Sequence, residues 1–261
     1  TKGLVPEETE TFKTDPISDL SKLYPGLPRV VYTYMIQCQG LMHDTYVYGL
    51  NVKGILPTMI EPTEVLDGAI VSGNCASPGH KNTSLHHMQN PVILNLLRRH
   101  GKDLCFAGVI ITIESALLAD KKRSAFYASN LARLIGAEGA IITEEGGGNP
   151  ETDLMLNCKY FEANGIKTVL ITDEYAGRDG ASQGLADVTP EADAVITNGN
   201  GNEYITLPKM DKIIGKLENV KIITGGNASS IGEDGSVSVE IAAIMGSLCE
   251  LGYEKMTTRL R

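Results

Sequence analysis

The 261-residue chain has no tryptophan and only five cysteines, at positions 38, 75, 105, 158 and 249, with no CxxC pair among them. An odd, scattered set of this kind does not suit a disulfide framework or a tight zinc site. It points to a reducing compartment, and the cytoplasm is the expectation. Basic runs are also missing. Lys and Arg number 23 against 32 Asp and Glu, for a net charge of −9, which speaks against a nucleic-acid or membrane-surface partner. No apolar stretch approaches the roughly 20 residues needed to cross a bilayer, and no secretory leader pattern is visible, so a soluble protein is expected. Two nucleotide-binding signatures, GxGxxG and GxxxxGK followed by Ser or Thr, do not occur. What the chain does have is 42% hydrophobic residues, enough to build a substantial core.

The stretch 1–28 is polar and broken by Pro6, Pro16, Pro25 and Pro28, and it begins with Thr1 rather than Met. It reads as an extended or partly helical lead-in without a core of its own, following a missing N-terminal region. Residues 29–261 read as a single α/β domain. RVVYTYMI from Arg29, ILPTMI from Ile55 and GAIV from Gly68 are strand candidates. Apolar runs then end in Ile-Thr at Thr112, Thr143, Thr172, Thr197 and Thr224, and four continue into polar or Gly-rich loops. Five parallel strands ending at one edge explain this echo. Amphipathic helices are expected between Ser115 and Ile135, after Asn149–Pro150, and from Val237 to Gly252. Alternating strands and helices predict a mainly parallel sheet with helices on both faces and Gly-rich loops at the carboxyl ends of the strands, where such sheets bind ligands.

TEEGGGNPETD from Thr143 has glycines before a helix, yet Glu144, Glu145, Glu151 and Asp153 would surround a phosphate with negative charge. A turn and helix cap suit the pattern better. The same acids could receive an ammonium group or a cationic partner residue. Arg178 could hold a substrate carboxylate, or pair with Asp173, Glu174 or Asp179. Glu144, Glu145, Asn149 and Arg178 are thus candidates for a substrate or partner surface.

All five histidines (43, 80, 86, 87 and 100) fall within the first 100 residues. Near four of them the chain reads DGAIVSGNCASPGHKNTSLHHMQNP, a short strand running into Gly73, Asn74 and Cys75. Cys75 with His80, His86 or His87 matches no tight metal spacing, and no metal is expected. A Cys–His hydrolase or transferase is one reading. Self-processing is another: the Cys75 thiol attacks the Asn74 carbonyl through a five-membered ring, and the acyl group moves from nitrogen to sulfur. Elimination then leaves dehydroalanine, which hydrolyses to a pyruvoyl group. This chemistry needs a flexible turn, a base for the thiol and donors for the oxyanion. Asn74, His86 and His87 are candidate suppliers, and His43 with Asp44 is a further pair.

LPRVVYTYMIQCQGLMHDTYVYG from Leu27, PTEVLDGAIVSGNC ending at Cys75, and the paired His86 and His87 followed by Asn90–Pro91 resemble the pyruvoyl-forming proprotein of glycine, sarcosine or betaine reductase, component B. The likeness continues through RHGKDL, LADK, ITEEG, GNPETDLM, LITDE, GRDG, PEADAV and KMTTR. Precursors of that family are longer at the N-terminus, so the resemblance makes this chain a C-terminal portion. It implies cleavage between Asn74 and Cys75, with Cys75 as the precursor of a covalent pyruvoyl cofactor. It further implies a small amine substrate held as an iminium, and reductive C–N cleavage by a selenol or thiol. The implied partners are a selenocysteine-containing component B subunit and a carboxymethyl-accepting selenoprotein, in a hetero-oligomer. Which of glycine, sarcosine or betaine is used depends on pocket shape. A non-catalytic assembly subunit of the same complex is the alternative.

Overall fold

The structure, a computed structural model, describes residues 10–39, 44–73, 82–172, 185–197, 204–209, 211, 212 and 230–240. A short helix α1 (Leu20–Leu23) precedes strand β1 (Arg29–Gln37). Then come β2 (Thr45–Val47), β3 (Leu50–Asn51), β4 (Thr58–Ile60), α2 (Pro62–Leu66) and β5 (Ile70–Ser72). Helices α3 (Ser84–Met88) and α4 (Pro91–Arg99) lead to β6 (Cys105–Glu114). The regular part follows as α5 (Leu118–Leu134), β7 (Gly139–Thr143), α6 (Asn149–Ala163), β8 (Lys167–Thr172) and β9 (Val195–Thr197). Strands β10 (Tyr204–Leu207) and β11 (Val237–Glu240) pair antiparallel as a separate two-stranded sheet.

Six strands form the main sheet in the order β4-β6-β1-β7-β8-β9, all parallel except β4 on one edge. Every residue of β6 is buried, and β1 is buried from Val31 onward. A strand covered on both faces has no reason to alternate polar with apolar, hence the continuous runs RVVYTYMI and CFAGVIITI. Along β1, Tyr32, Tyr34 and Ile36 enter one core with Val92, Ile93, Leu96 and Leu97 of α4. Val31 and Met35 enter the other, against Ala128 and Ala132 of α5 and Leu154, Cys158 and Phe161 of α6. The α/β architecture with helices on both faces is therefore as expected.

Local chemistry sets the ends of these elements. Gly136 stops α5 at φ +71, a conformation other residues seldom adopt. Gly148 caps α6 while its N–H donates to Glu151 Oε1 at 2.8 Å, and Pro150 sits in the first turn. The Asn90–Pro91 pair is likewise a helix start: Asn90 Oδ1 accepts from Ile93 N at 3.0 Å. Residues 10–28 dock onto the domain, with Leu20 buried among the α6-side core and Phe12 against the other.

Three expectations need correction or delimitation. Thr143, Thr172 and Thr197 end their strands, but β6 runs past Thr112 to Glu114, because two more residues pair with Ile36 and Gln37 of β1. Val237 begins strand β11 rather than a helix: its partner Leu207 and the burial of Val237 and Val239, two apart, impose a strand period. Thr224 and the rest of the expected last helix lie outside the described residues.

Candidate active site

The connection from β1 to β6 passes over the face carrying α4, whereas α5 and α6 cover the opposite face. The connections leaving β1 and β7 thus run to opposite sides of the sheet, and a crevice is expected at the carboxyl ends of these two parallel strands. Three polar residues meet there, one from each strand end. Glu145 Oε2 accepts the N–H of Gln37 at 2.7 Å, and the N–H of Glu145 donates to Glu114 Oε1 at 2.6 Å. The other oxygen, Glu145 Oε1, accepts the N–H of Asn82 at 2.7 Å. Glu114, Glu144 and Glu145 are all 0% exposed. Burial first, then the charges of Glu145 and Asp153, pushes the Glu114 carboxyl well above its ordinary range. Its Oε2 has no hydrogen-bond partner among the described residues. Cys38 donates from Sγ to the Glu114 carbonyl at 3.0 Å, and burial beside these acids pushes its thiol up to about 12. Below them Lys121 Nζ bonds Asp153 and, at 3.0 Å, the carbonyl of Asn149. Burial outweighs that ammonium and holds Asp153 up at about 7.

A second network flanks the first. Strand β2 pairs antiparallel with β5, Thr45 opposite Ser72. One step beyond, Gly73 N–H donates to the carbonyl of Asp44 at 2.7 Å, with Asp44 at φ 69. His43 and Asn74 are each covalently next to one partner of that bond. Ser72 is held through its backbone: its N–H donates to Ser84 Oγ at 3.0 Å, and its carbonyl accepts from the same hydroxyl at 3.3 Å. Its own Oγ lies 2.8 Å from His87 Nε2. The opposite ring nitrogen, Nδ1, is 2.7 Å from Tyr34 OH, which accepts from Asn82 Nδ2 at 3.1 Å. Ser72 and Gly73, which precede residues 74–81 in sequence, and Asn82, which follows them, thus belong to neighbouring hydrogen-bonded clusters.

Among the expected site residues, His87 and Glu145 stand in these networks. His86 instead caps a helix. Its Nδ1 accepts Thr83 N–H at 3.1 Å and its own N–H donates to Thr83 Oγ1 at 3.3 Å, a capping box for α3. Burial lowers its pKa. Glu144 and Glu145 do not form an exposed surface, because Thr172 Oγ1 bonds the first and two backbone amides bond the second inside the fold. Asn149 is exposed at the start of α6. Asn74, Cys75, His43 and Arg178 lie outside the described residues. Sequence reading missed Tyr34, Gln37, Ser72, Asn82 and Glu114. Gln37 and Glu114 carried a signal, as polar residues closing long apolar strands. Among the described residues no cluster of three or more His, Cys, Asp or Glu could hold a metal ion, and no helix is long and apolar enough to cross a membrane.

Acids and a histidine are thus gathered near the switch point of an open α/β sheet, the place where sheets of this class bind ligands. The family model for glycine/sarcosine/betaine reductase component B subunits matches residues 1–259, and the chain belongs to that family. It is 54% identical over 260 residues to the glycine reductase complex component B subunits alpha and beta of Acetoanaerobium sticklandii, covering 99% of this chain and 60% of the relative. It is 51% identical over 254 residues to the sarcosine reductase complex component B subunit alpha of Peptoclostridium acidaminophilum, covering 97% and 59%. A D-proline reductase proprotein of A. sticklandii is 29% identical over 178 residues, covering 62% of this chain and 27% of that one. The chain thus spans about 60% of the length of the reductase relatives it matches. No solved structure matches.

Proposed function

We propose that this chain is the pyruvoyl-forming, substrate-binding part of an amino-acid reductase component B, and that it cuts itself between Asn74 and Cys75. The observation that carries the reading is that the residues flanking 74–81, Ser72 and Gly73 before it and Asn82 after it, are each hydrogen-bonded in place, Ser72 directly to His87. The word proprotein in the name of the proline reductase relative supports it. In the cut, sulfur adds to the Asn74 carbonyl and the C–N bond breaks, giving a thioester with a free amine on residue 75. Loss of the thiocarboxylate and of a Cα proton gives the enamine, and one water then replaces ammonia to leave the keto group. The N–H of Gly73, the residue before Asn74, is held by the carbonyl of Asp44.

A pyruvoyl group at this position supplies an electron sink that weakens the C–N bond of a bound amine. The buried acids of the crevice suit that substrate. The carboxyl of Glu145, fixed by two amides, suits recognition of an ammonium group at these strand ends. Glu114, whose carboxyl burial pushes well above its ordinary range, is the candidate proton source for the departing amine. The attacking selenol or thiol comes from partner subunits, a selenocysteine-containing component B subunit and a carboxymethyl-accepting selenoprotein, in a cytoplasmic hetero-oligomer. His43 with Asp44, and Asn149 and Arg178, complete the proposed machinery. Borohydride reduction of the complex in the presence of glycine or sarcosine tests this directly. The amine becomes fixed to residue 75, and the fragment starting there gains the matching mass. A protein that cleaves but never acquires the amine contradicts the substrate role, and Cys75→Ala gives neither cleavage nor label.

A further inference from the structure

We propose that the solvent face of α5, centred on Phe126, is the surface on which another subunit of the reductase complex docks, and that this partner presents an apolar centre with an acidic rim. The inference rests on the reading of this chain as part of a multi-subunit component B. Helix α5 is turned inside out relative to its neighbour. Apart from Lys121, its buried face is made of Ser124, Ala125, Ala128, Ser129 and Ala132, small residues that let it lie close to the sheet. Its large apolar side chains face away: Phe126 is 53% exposed, Tyr127 44% and Leu134 73%. Helix α6 covers the same sheet face in the ordinary way, burying Leu154, Met155 and Phe161. A helix that needs only its sheet keeps the large apolar groups inward and polar groups outward. The reverse order on α5 supplies a second contact surface.

The exposed rings are ordered rather than scattered. Phe126 meets Tyr127 edge-on with centroids 6.4 Å apart and, across the two helices, Tyr160 of α6 at 6.2 Å, both at 80°. Such contacts hold the side chains before a partner arrives, so less rotamer freedom is lost on binding. Aromatic residues and arginine are the types enriched where proteins meet, with charge kept to the rim. Around these rings α5 exposes Lys122, Arg123 and Arg133, and its one carboxylate, Asp120, pairs with Arg123 Nη2 at 2.5 Å. This cationic rim contrasts with the chain's net charge of −9. Two copies meeting through α5 about a two-fold axis would bring like cations together, which is unfavourable. A different chain, with carboxylates around an apolar centre, complements both the rings and the rim. Relatives named as reductase complex component B subunits supply the setting, since those proteins are parts of assemblies.

The test measures association of the complete natural polypeptide with the other subunits of its reductase complex, with affinity from sedimentation and rates from surface plasmon resonance, at low and high salt. Phe126→Asp weakens association on the order of 100-fold, while Phe126→Tyr stays within about threefold of wild type. Lys122→Glu combined with Arg123→Glu slows association about tenfold at low salt and much less at high salt, because rim charges steer the encounter. Lys22→Glu, which reverses an exposed cation on α1, leaves affinity and rates unchanged. Melting temperatures stay near wild type throughout, since every substituted side chain faces solvent. A wild type that assembles and a Phe126→Asp variant that binds equally well overturn the docking surface alone. Self-association that Phe126→Asp abolishes, with binding to the other subunits intact, also overturns it and makes a second copy the occupant. A wild type that joins no other subunit overturns the component B reading and the docking surface with it.

Discussion

The two ends of the main sheet use the same residue types to opposite effect. At the amino end, Asp15 accepts from Tyr24 OH at 2.6 Å and lies 3.3 Å from His100 Nε2. The Tyr24 hydrogen bond, then that of His100, holds the Asp15 carboxyl below its ordinary value. His100 is fixed in turn, its Nδ1 accepting Phe106 N–H at 2.9 Å. Charges there are partnered and close to water. At the carboxyl end, Glu114 and Asp153 are pushed upward, chiefly by burial, and each keeps an oxygen without a partner among the described residues. The proposed site lies at the end where carboxylates are buried and incompletely paired, not at the end where they are satisfied.

Substitutions sharpen this contrast by size of effect. Glu145→Ala at the carboxyl end strands the buried amides of Gln37 and Asn82, and the expected loss of stability in urea denaturation is about 3 kcal/mol. Glu145→Gln, which keeps one acceptor oxygen, loses less. Lys121→Met is expected to cost about 2 kcal/mol at pH 8, where Asp153 would otherwise be a bare buried carboxylate, and clearly less at pH 5. Equal losses at both pH values would contradict the raised Asp153.

The pH dependence should separate the ends further. Asp153 and Glu114 have folded-state values above their unfolded ones. The native state therefore binds more protons than the unfolded state, and stability is lost as pH rises from about 4 through about 7. Asp153→Asn should flatten that slope. Asp15 behaves in the opposite sense, its contribution present above 3.8 and lost as pH falls below it, so Asp15→Asn should matter only above that range. Smallest of all is Arg99→Ala, which removes an exposed pair with Asp103 and should move the melting temperature by no more than about 1 °C.

Much of the fold was legible because it rests on periodicity. Continuous apolar runs marked β1 and β6, and Gly136 and Asn149–Pro150 marked helix ends by local chemistry alone. Val237 misled because a strand of four alternating residues also satisfies the first turn of a helical pattern, and only pairing with Leu207 decides between them. At the site, a histidine pair was legible as such but not as a division of labour. That His86 caps a helix while His87 turns inward depends on Thr83 and Tyr34, the second 53 residues away in sequence. Tyr34 and Asn82 carried no local sign at all, since a tyrosine in an apolar strand reads as core and an asparagine before a helix reads as turn. The burial of Glu144 and Glu145 was equally hidden, because the amides that hold Glu145 come from β1 and from the far side of segment 74–81.

The most direct measurement is the intact mass of the protein under denaturing conditions, followed by reaction with a hydrazine. Self-processing predicts a fragment of residues 75–261, about 20 kDa of the chain's 28.0 kDa, that lacks a free N-terminal amine and forms a hydrazone. An uncut polypeptide with a free Cys75 thiol and no hydrazone, even with its partner subunits present, would contradict it and leave a non-catalytic assembly role in its place.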